Sequence, residues 1–164
     1  MRLWLENIGR LLGLLILQLL LINNLHFMGI CNPCFYILFL IALPANLPHW
    51  AEQLIAFVTG ALMDLAANTP GVHAAACVAI GFARPKILHN IVPDDDRLIG
   101  TISTRTLDWP AYARLVLGMT LIHHAILFML LNFTFHALWL TLLQIVVSAA
   151  VTILLILGRE LMRN

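Results

Sequence analysis

Charge is what this chain has least of. Only 10% of its 164 residues are Asp, Glu, Lys or Arg, whereas 62% are hydrophobic and the mean hydropathy is +0.95. That balance excludes an ordinary soluble domain. Internal repeats and low-complexity segments are absent. So are a Ser–His–acid set, a phosphate-binding glycine loop and any paired-carboxylate spacing. The chain thus gives no positive sign of catalysis and reads as non-enzymatic, with no cofactor. Its formal charge of +1 carries no signal for nucleic acid, and none is expected as a partner. No small-residue cleavage site follows the first hydrophobic run, so that run reads as a retained membrane span.

What the chain does have is apolar runs. At ~20 residues per span there is room for about six, and none for a separate soluble domain. We place them at about 8–24, 33–47, 50–68, 71–91, 110–132 and 138–157, in one integral membrane domain covering 1–164. The expected fold is an all-α bundle of six transmembrane helices with a polar cytoplasmic loop over 92–109. Gly9 and Gly13 in the first run form a small-xxx-small pair, a weak signal for a contact face. Asn23, Asn24 and His26 mark its exit from the hydrocarbon. Trp50 suits an interface, and Pro85 is placed to kink the fourth helix. Asp108-Trp109-Pro110 reads as a helix start: a capping side chain, an interfacial ring, then a proline where its missing donor does no harm.

The second run is short. Its proline-free part covers about 15 Å, half the hydrocarbon core. The distribution of positive charge argues that it crosses all the same. Arg2 and Arg10 precede it, Arg84, Lys86, Arg97, Arg105 and Arg114 surround the polar loop, and Arg159 and Arg163 end the chain. Six crossings put all of these on one side, the cytoplasmic one, together with both termini. Without that crossing, Arg2 and Arg10 would be stranded opposite the rest. The segment is expected to cross with a kinked or unwound end sheltered by its neighbours.

The stretch from Ala56 to Phe82 organises the remainder. Ala56, Gly60, Asp64 and Asn68 recur every four residues and so share one helix face. A break at Asn68-Thr69-Pro70-Gly71 follows, and then Gly71, Ala75, Ala79 and Ala83 repeat the spacing. Small stripes of this kind allow close backbone approach inside a membrane. Asp64 reads as the only carboxylate deep in an apolar run, and burying it demands a protein or water partner. Either it bonds to a neighbouring helix and fixes the bundle, or it faces a partner or ligand site. A proton relay needs further ionisable groups along a path, and only histidines are available to extend it. The candidate partner or helix-packing face is Ala56, Gly60, Asp64, Asn68, Pro70, Gly71, His73 and Ala75.

Of seven histidines, only His123 and His124 fall near the middle of a span, with His73 and His89 towards the ends of the fourth. Adjacent residues point about 100° apart on a helix, so the two are not expected to share a metal ion. No i,i+3 or i,i+4 histidine pair is present, and no metal site is expected. Cys31-Asn32-Pro33-Cys34 is expected as a tight loop on the outer side, at the mouth of the second run. Cys31 and Cys34 read as a small disulfide or as free thiols in an oxidising outer compartment. Redox enzymes of membranes ordinarily use a second pair, and Cys77 is alone.

A family resemblance lies in Gln18 with Asn23 and Asn24, in Asn32-Pro33 leading into Tyr36 to Pro44 (YILFLIALP), and in Pro48. It continues in Gly60-x-x-x-Asp64 and in Asn68-Thr69-Pro70-Gly71-Val72-His73-Ala74-Ala75. Over roughly residues 15–85 the chain resembles MreD, the rod-shape-determining membrane protein, in its Bacteroidota-like form. Cys31 and Cys34 are not part of that pattern. The resemblance implies a six-helix fold similar to the substrate-binding components of energy-coupling-factor transporters. It implies a place in the bacterial cytoplasmic (inner) membrane and a partnership with the bitopic protein MreC, which helps to position cell-wall synthesis. Contacts with a RodA-type glycosyltransferase, the elongation transpeptidase and MreB would be indirect. A second reading remains open: a vitamin-binding membrane subunit of a transporter, with an outward pocket near the 68–73 turn.

Overall fold

The computed structural model describes residues 2–22, 30–92, 100–132 and 138–163. Among these all the regular elements are helices, joined by irregular turns and loops, with one isolated antiparallel bridge between Pro44 and Thr101. Helix α1 (Arg2–Leu17) ends in a π-helical turn, Gln18–Ile22. A 3₁₀ turn, Phe35–Ile37, runs directly into the one-turn helix α2 (Leu38–Ile41). Four long helices follow: α3 (His49–Ala67), α4 (Val72–Ile91), α5 (Trp109–Leu131) and α6 (Leu138–Arg163). Helices α3 to α6 pack each against the next in chain order, and the short segment is held among α1, α5 and α6.

Helix α5 is the central post. Its buried residues fall in two adjacent four-residue rows, Ala111-Leu115-Met119-His123-Leu127 and Tyr112-Val116-Thr120-His124-Phe128. Two such rows side by side make one broad inward face. The opposite side, with Leu117, Leu121 and Met129, is exposed. Its start departs from expectation. Asp108 does occupy the N-cap position, but its side chain makes no capping bond, and its carbonyl accepts the Tyr112 N–H at 3.0 Å. Pro85 lies within α4, which continues through it to Ile91.

The second predicted span is the element that differs most. Regular helix covers only Phe35–Ile41 of the expected 33–47, yet every residue from Pro33 to Leu43 is buried. Two polar residues hold its non-helical entry. The Gln18 amide donates to Pro33 O at 2.8 Å and its carbonyl oxygen accepts the Phe35 N–H at 2.8 Å. From α6, Ser148 Oγ accepts the Asn32 N–H at 2.9 Å and Thr152 Oγ1 accepts the Cys34 N–H at 3.1 Å. At the other end, Ala45 N–H reaches Gly100 O at 3.2 Å, and Thr104 of the same loop donates its hydroxyl to Glu160 at 3.0 Å. From Ser148 to Glu160 is about 18 Å along α6. The segment therefore runs beside the C-terminal half of α6. Its Cys31–Cys34 loop lies about 15 Å in from the start of that helix, not at a surface mouth.

Among the described residues two helices, α5 and α6, are long and apolar enough to cross a membrane, with mean hydropathies of 1.8 and 2.6. Gly9 and Gly13 face open space, so that pair makes no contact with any described residue. The expected exit at Asn23, Asn24 and His26, the acidic run at 94–96 and the turn around Phe135 lie outside the described residues.

Candidate functional site

The α3–α4 hairpin is built around one carboxylate. Helix α3 ends at Asn68, which adopts the left-handed conformation (φ 55°), and Gly71 adopts it again (φ 81°). Asn and Gly are the residues that tolerate it, so the chain reverses within the four-residue break. Asp64 then reaches across the turn. Its Oδ1 accepts the His73 N–H at 2.8 Å and the Thr69 hydroxyl at 3.0 Å, and its Oδ2 accepts the Ala74 N–H at 2.9 Å. These N–H groups belong to the first turn of α4, where no helical partner exists and a negative charge is favoured. A carboxylate on one helix thus caps the next.

That cap sets the phase of α4. Ala56, Gly60 and Asp64 are buried against it, while Asn68, Pro70, Gly71 and Ala75 are exposed. The expected second stripe of Gly71, Ala75, Ala79 and Ala83 is therefore turned away. In its place Ala74 packs on Gly60 and Gly81 packs on Ala56. Spacing alone left the rotation of α4 open, and the hydrogen bonds to His73 and Ala74 decide it.

His73 begins a second polar group, buried at the centre of the bundle. The Tyr36 hydroxyl lies 2.9 Å from His73 Nδ1 and 2.8 Å from His123 Nε2. One hydroxyl carries one proton, so Tyr36 donates to one imidazole and accepts from the other. Cys77 Sγ lies 3.8 Å from the same oxygen. Beside it, His124 Nδ1 is 2.9 Å from Thr120 O and its Nε2 is 3.2 Å from Thr152 Oγ1. His123 Nδ1 is buried with no hydrogen-bond partner among the described residues. The two adjacent histidines do point apart on α5. Even so, one donor atom from each and the Cys34 sulfur lie within 4.8 Å of one another. The third donor comes from the 31–44 segment, an element that the spacing of the two histidines along α5 does not reveal.

Cys31, Cys34 and Cys77 are all free thiols.

Two more buried carboxylates correct the expectation that Asp64 stands alone. Glu52 and Arg84, only 2% and 1% exposed, form an ion pair between α3 and α4, and Arg84 also donates to Leu43 O. Arg84 is therefore a structural charge inside the fold, not an exposed one. Glu160 accepts hydrogen bonds from Thr104, and Arg159 and Arg163 pair with it at 3.1 and 2.9 Å. A signal for Glu52 was present, since the row Ala56-Gly60-Asp64 extends back by one step to it. None marked Tyr36 or Thr152 within uniformly apolar sequence.

Among the described residues two concavities stand out. A cavity of about 40 Å³ beside the C-terminal end of α6 is lined by Arg10, Tyr112, Arg159 and Glu160. An open groove of about 610 Å³ lies between His49, Trp50 and Gln53 of α3 and Phe82, Pro85, Lys86 and His89 of α4. Compared with protein families, curated proteins and solved structures, the chain matches none.

Proposed function

We propose that this protein is a non-enzymatic, six-span scaffold of the MreD type in a bacterial cytoplasmic membrane. Its helix faces bind an MreC-like bitopic protein, and it helps to position cell-wall synthesis. Both termini and the 92–109 loop lie in the cytoplasm. The observation that carries this reading is the inverted distribution of polarity. Leu54, Phe57 and Leu65 on α3 and Trp139, Val146 and Leu154 on α6 are each more than half exposed. Asp64, His73, Glu52 and Arg84 point inward and bond to one another's helices. Apolar outside and polar inside suits lipid and partner helices as surroundings. The buried 31–44 segment supplies the sixth crossing, with irregular backbone sheltered by protein.

A transporter subunit would need Asp64 and His73 to face a ligand near the 68–73 turn. Their use in capping α4 and in bonding Tyr36 favours the scaffold. Affinity isolation in mild detergent tests the choice. A co-purifying bitopic coiled-coil protein supports the scaffold. ATPase subunits or a retained vitamin would overturn it. Depletion in a rod-shaped host should give rounded, widening cells that still form septa.

A further inference from the structure

We propose that Cys34, His123 and His124 form a three-coordinate site for monovalent copper, Cu(I), within the bundle. It would exist whichever partner the helices bind. The three side chains come from two elements that the fold brings together, and their donor atoms lie within 4.8 Å of one another. Metal–nitrogen and metal–sulfur bonds of about 2.0 and 2.3 Å put trigonal ligands about 3.5–3.8 Å apart. Closing the site therefore takes about 1 Å of side-chain movement.

The surroundings are those of a prepared ligand set. His124 holds its ring by an Nδ1 contact to Thr120 O at 2.9 Å, which directs Nε2 to accept or ligate. Thr152 has one hydroxyl proton, and the Ser148 carbonyl at 2.8 Å takes it as the usual helical back-bond. The His124 Nε2 lone pair is then left for a metal. His123 Nδ1 is fully buried and has no hydrogen-bond partner among the described residues. Its Nε2 faces the Tyr36 hydroxyl at 2.8 Å, which orients the ring from the far side. Cys34 is fixed through its backbone N–H to Thr152.

Charge selects the ion. One thiolate and two neutral imidazoles sum to one negative charge, so a monovalent cation leaves the buried site neutral. A divalent ion would leave a positive charge in an apolar interior, which is costly. Thiolate with imidazole also suits soft Cu(I). On binding, the Cys34 S–H bond breaks, a Cu–S bond forms and the proton leaves to solvent. No electron is transferred.

The test uses the full-length protein in mild detergent, kept anaerobic and reduced, with one equivalent of Cu(I) and a chromogenic Cu(I) chelator as competitor. One Cu(I) per chain should be retained, and X-ray absorption of the wild-type complex should show one sulfur and two nitrogen ligands. Cys34→Ser and His124→Gln should each lower affinity at least tenfold, while Cys31→Ser keeps it. The wild-type spectrum stands even if a variant fails to fold. Four results would overturn the proposal: no Cu(I) held by folded wild type, sulfur-only coordination, displacement by equimolar Zn(II), or loss in Cys31→Ser with retention in His124→Gln.

Discussion

The backbones of Gly60 and Ala74 touch: a methyl group placed on Gly60 would lie 2.5 Å from the Ala74 Cα and 2.6 Å from His73 O. One turn further on, the Asp64 carboxylate takes the N–H groups of those same two residues. Close approach and cap are thus one device, since the carboxylate reaches α4 only because Gly60 lets the helix in.

Gly60→Ala should therefore destabilise the hairpin by about 1–3 kcal/mol, the usual range for overpacking. Asp64→Asn should also be measurable, at about 1–3 kcal/mol, because its NH₂ group would face a backbone N–H in place of an acceptor. Thermal unfolding in detergent, read beside abundance in cells, checks both. Wild-type stability of both variants would contradict the geometry.

Glu52 and Arg84 make a second prediction. Removing one member of a buried ion pair strands the other, at a cost of about 3–5 kcal/mol. Glu52→Leu or Arg84→Met alone should sharply reduce protein level and melting temperature. The double variant Glu52→Leu/Arg84→Met should recover most of the loss. A double variant as weak as the sum of the singles would show that the two do not act as a pair.

Tyr36→Phe keeps the ring and deletes the hydroxyl that joins His73 to His123. Two buried imidazole nitrogens lose a partner, for which about 1–3 kcal/mol is the expected cost. Denaturant unfolding followed by tryptophan fluorescence should show a lower midpoint with an unchanged slope.

The topology yields the last prediction. Arg105 and Pro70 are both exposed, near opposite ends of the molecule. In intact cells, Pro70→Cys should react with an impermeant maleimide and Arg105→Cys only after permeabilisation. The reverse pattern would sink the proposed orientation.

Much of the helical framework was legible in the sequence because it rests on local properties. Long apolar runs make the long helices, and the recurrence of Ala56, Gly60 and Asp64 every four residues marks a helix face. Asn68 through Gly71 marks the reversal through backbone preferences that need no neighbour. What tertiary structure alone decided depends on contacts between residues far apart in the chain. The 31–44 segment is helical only over Phe35–Ile41, and it is positioned by Gln18, Ser148 and Thr152 of two other helices. Arg84 reads as a surface charge until Glu52 packs against it. Cys34, His123 and His124 meet only when that irregular segment is threaded beside α5. A side chain's neighbours along its own helix follow from a period of 3.6 residues. Its neighbours across the bundle follow from how each helix is rotated, and here buried hydrogen bonds such as those from Asp64 set that rotation.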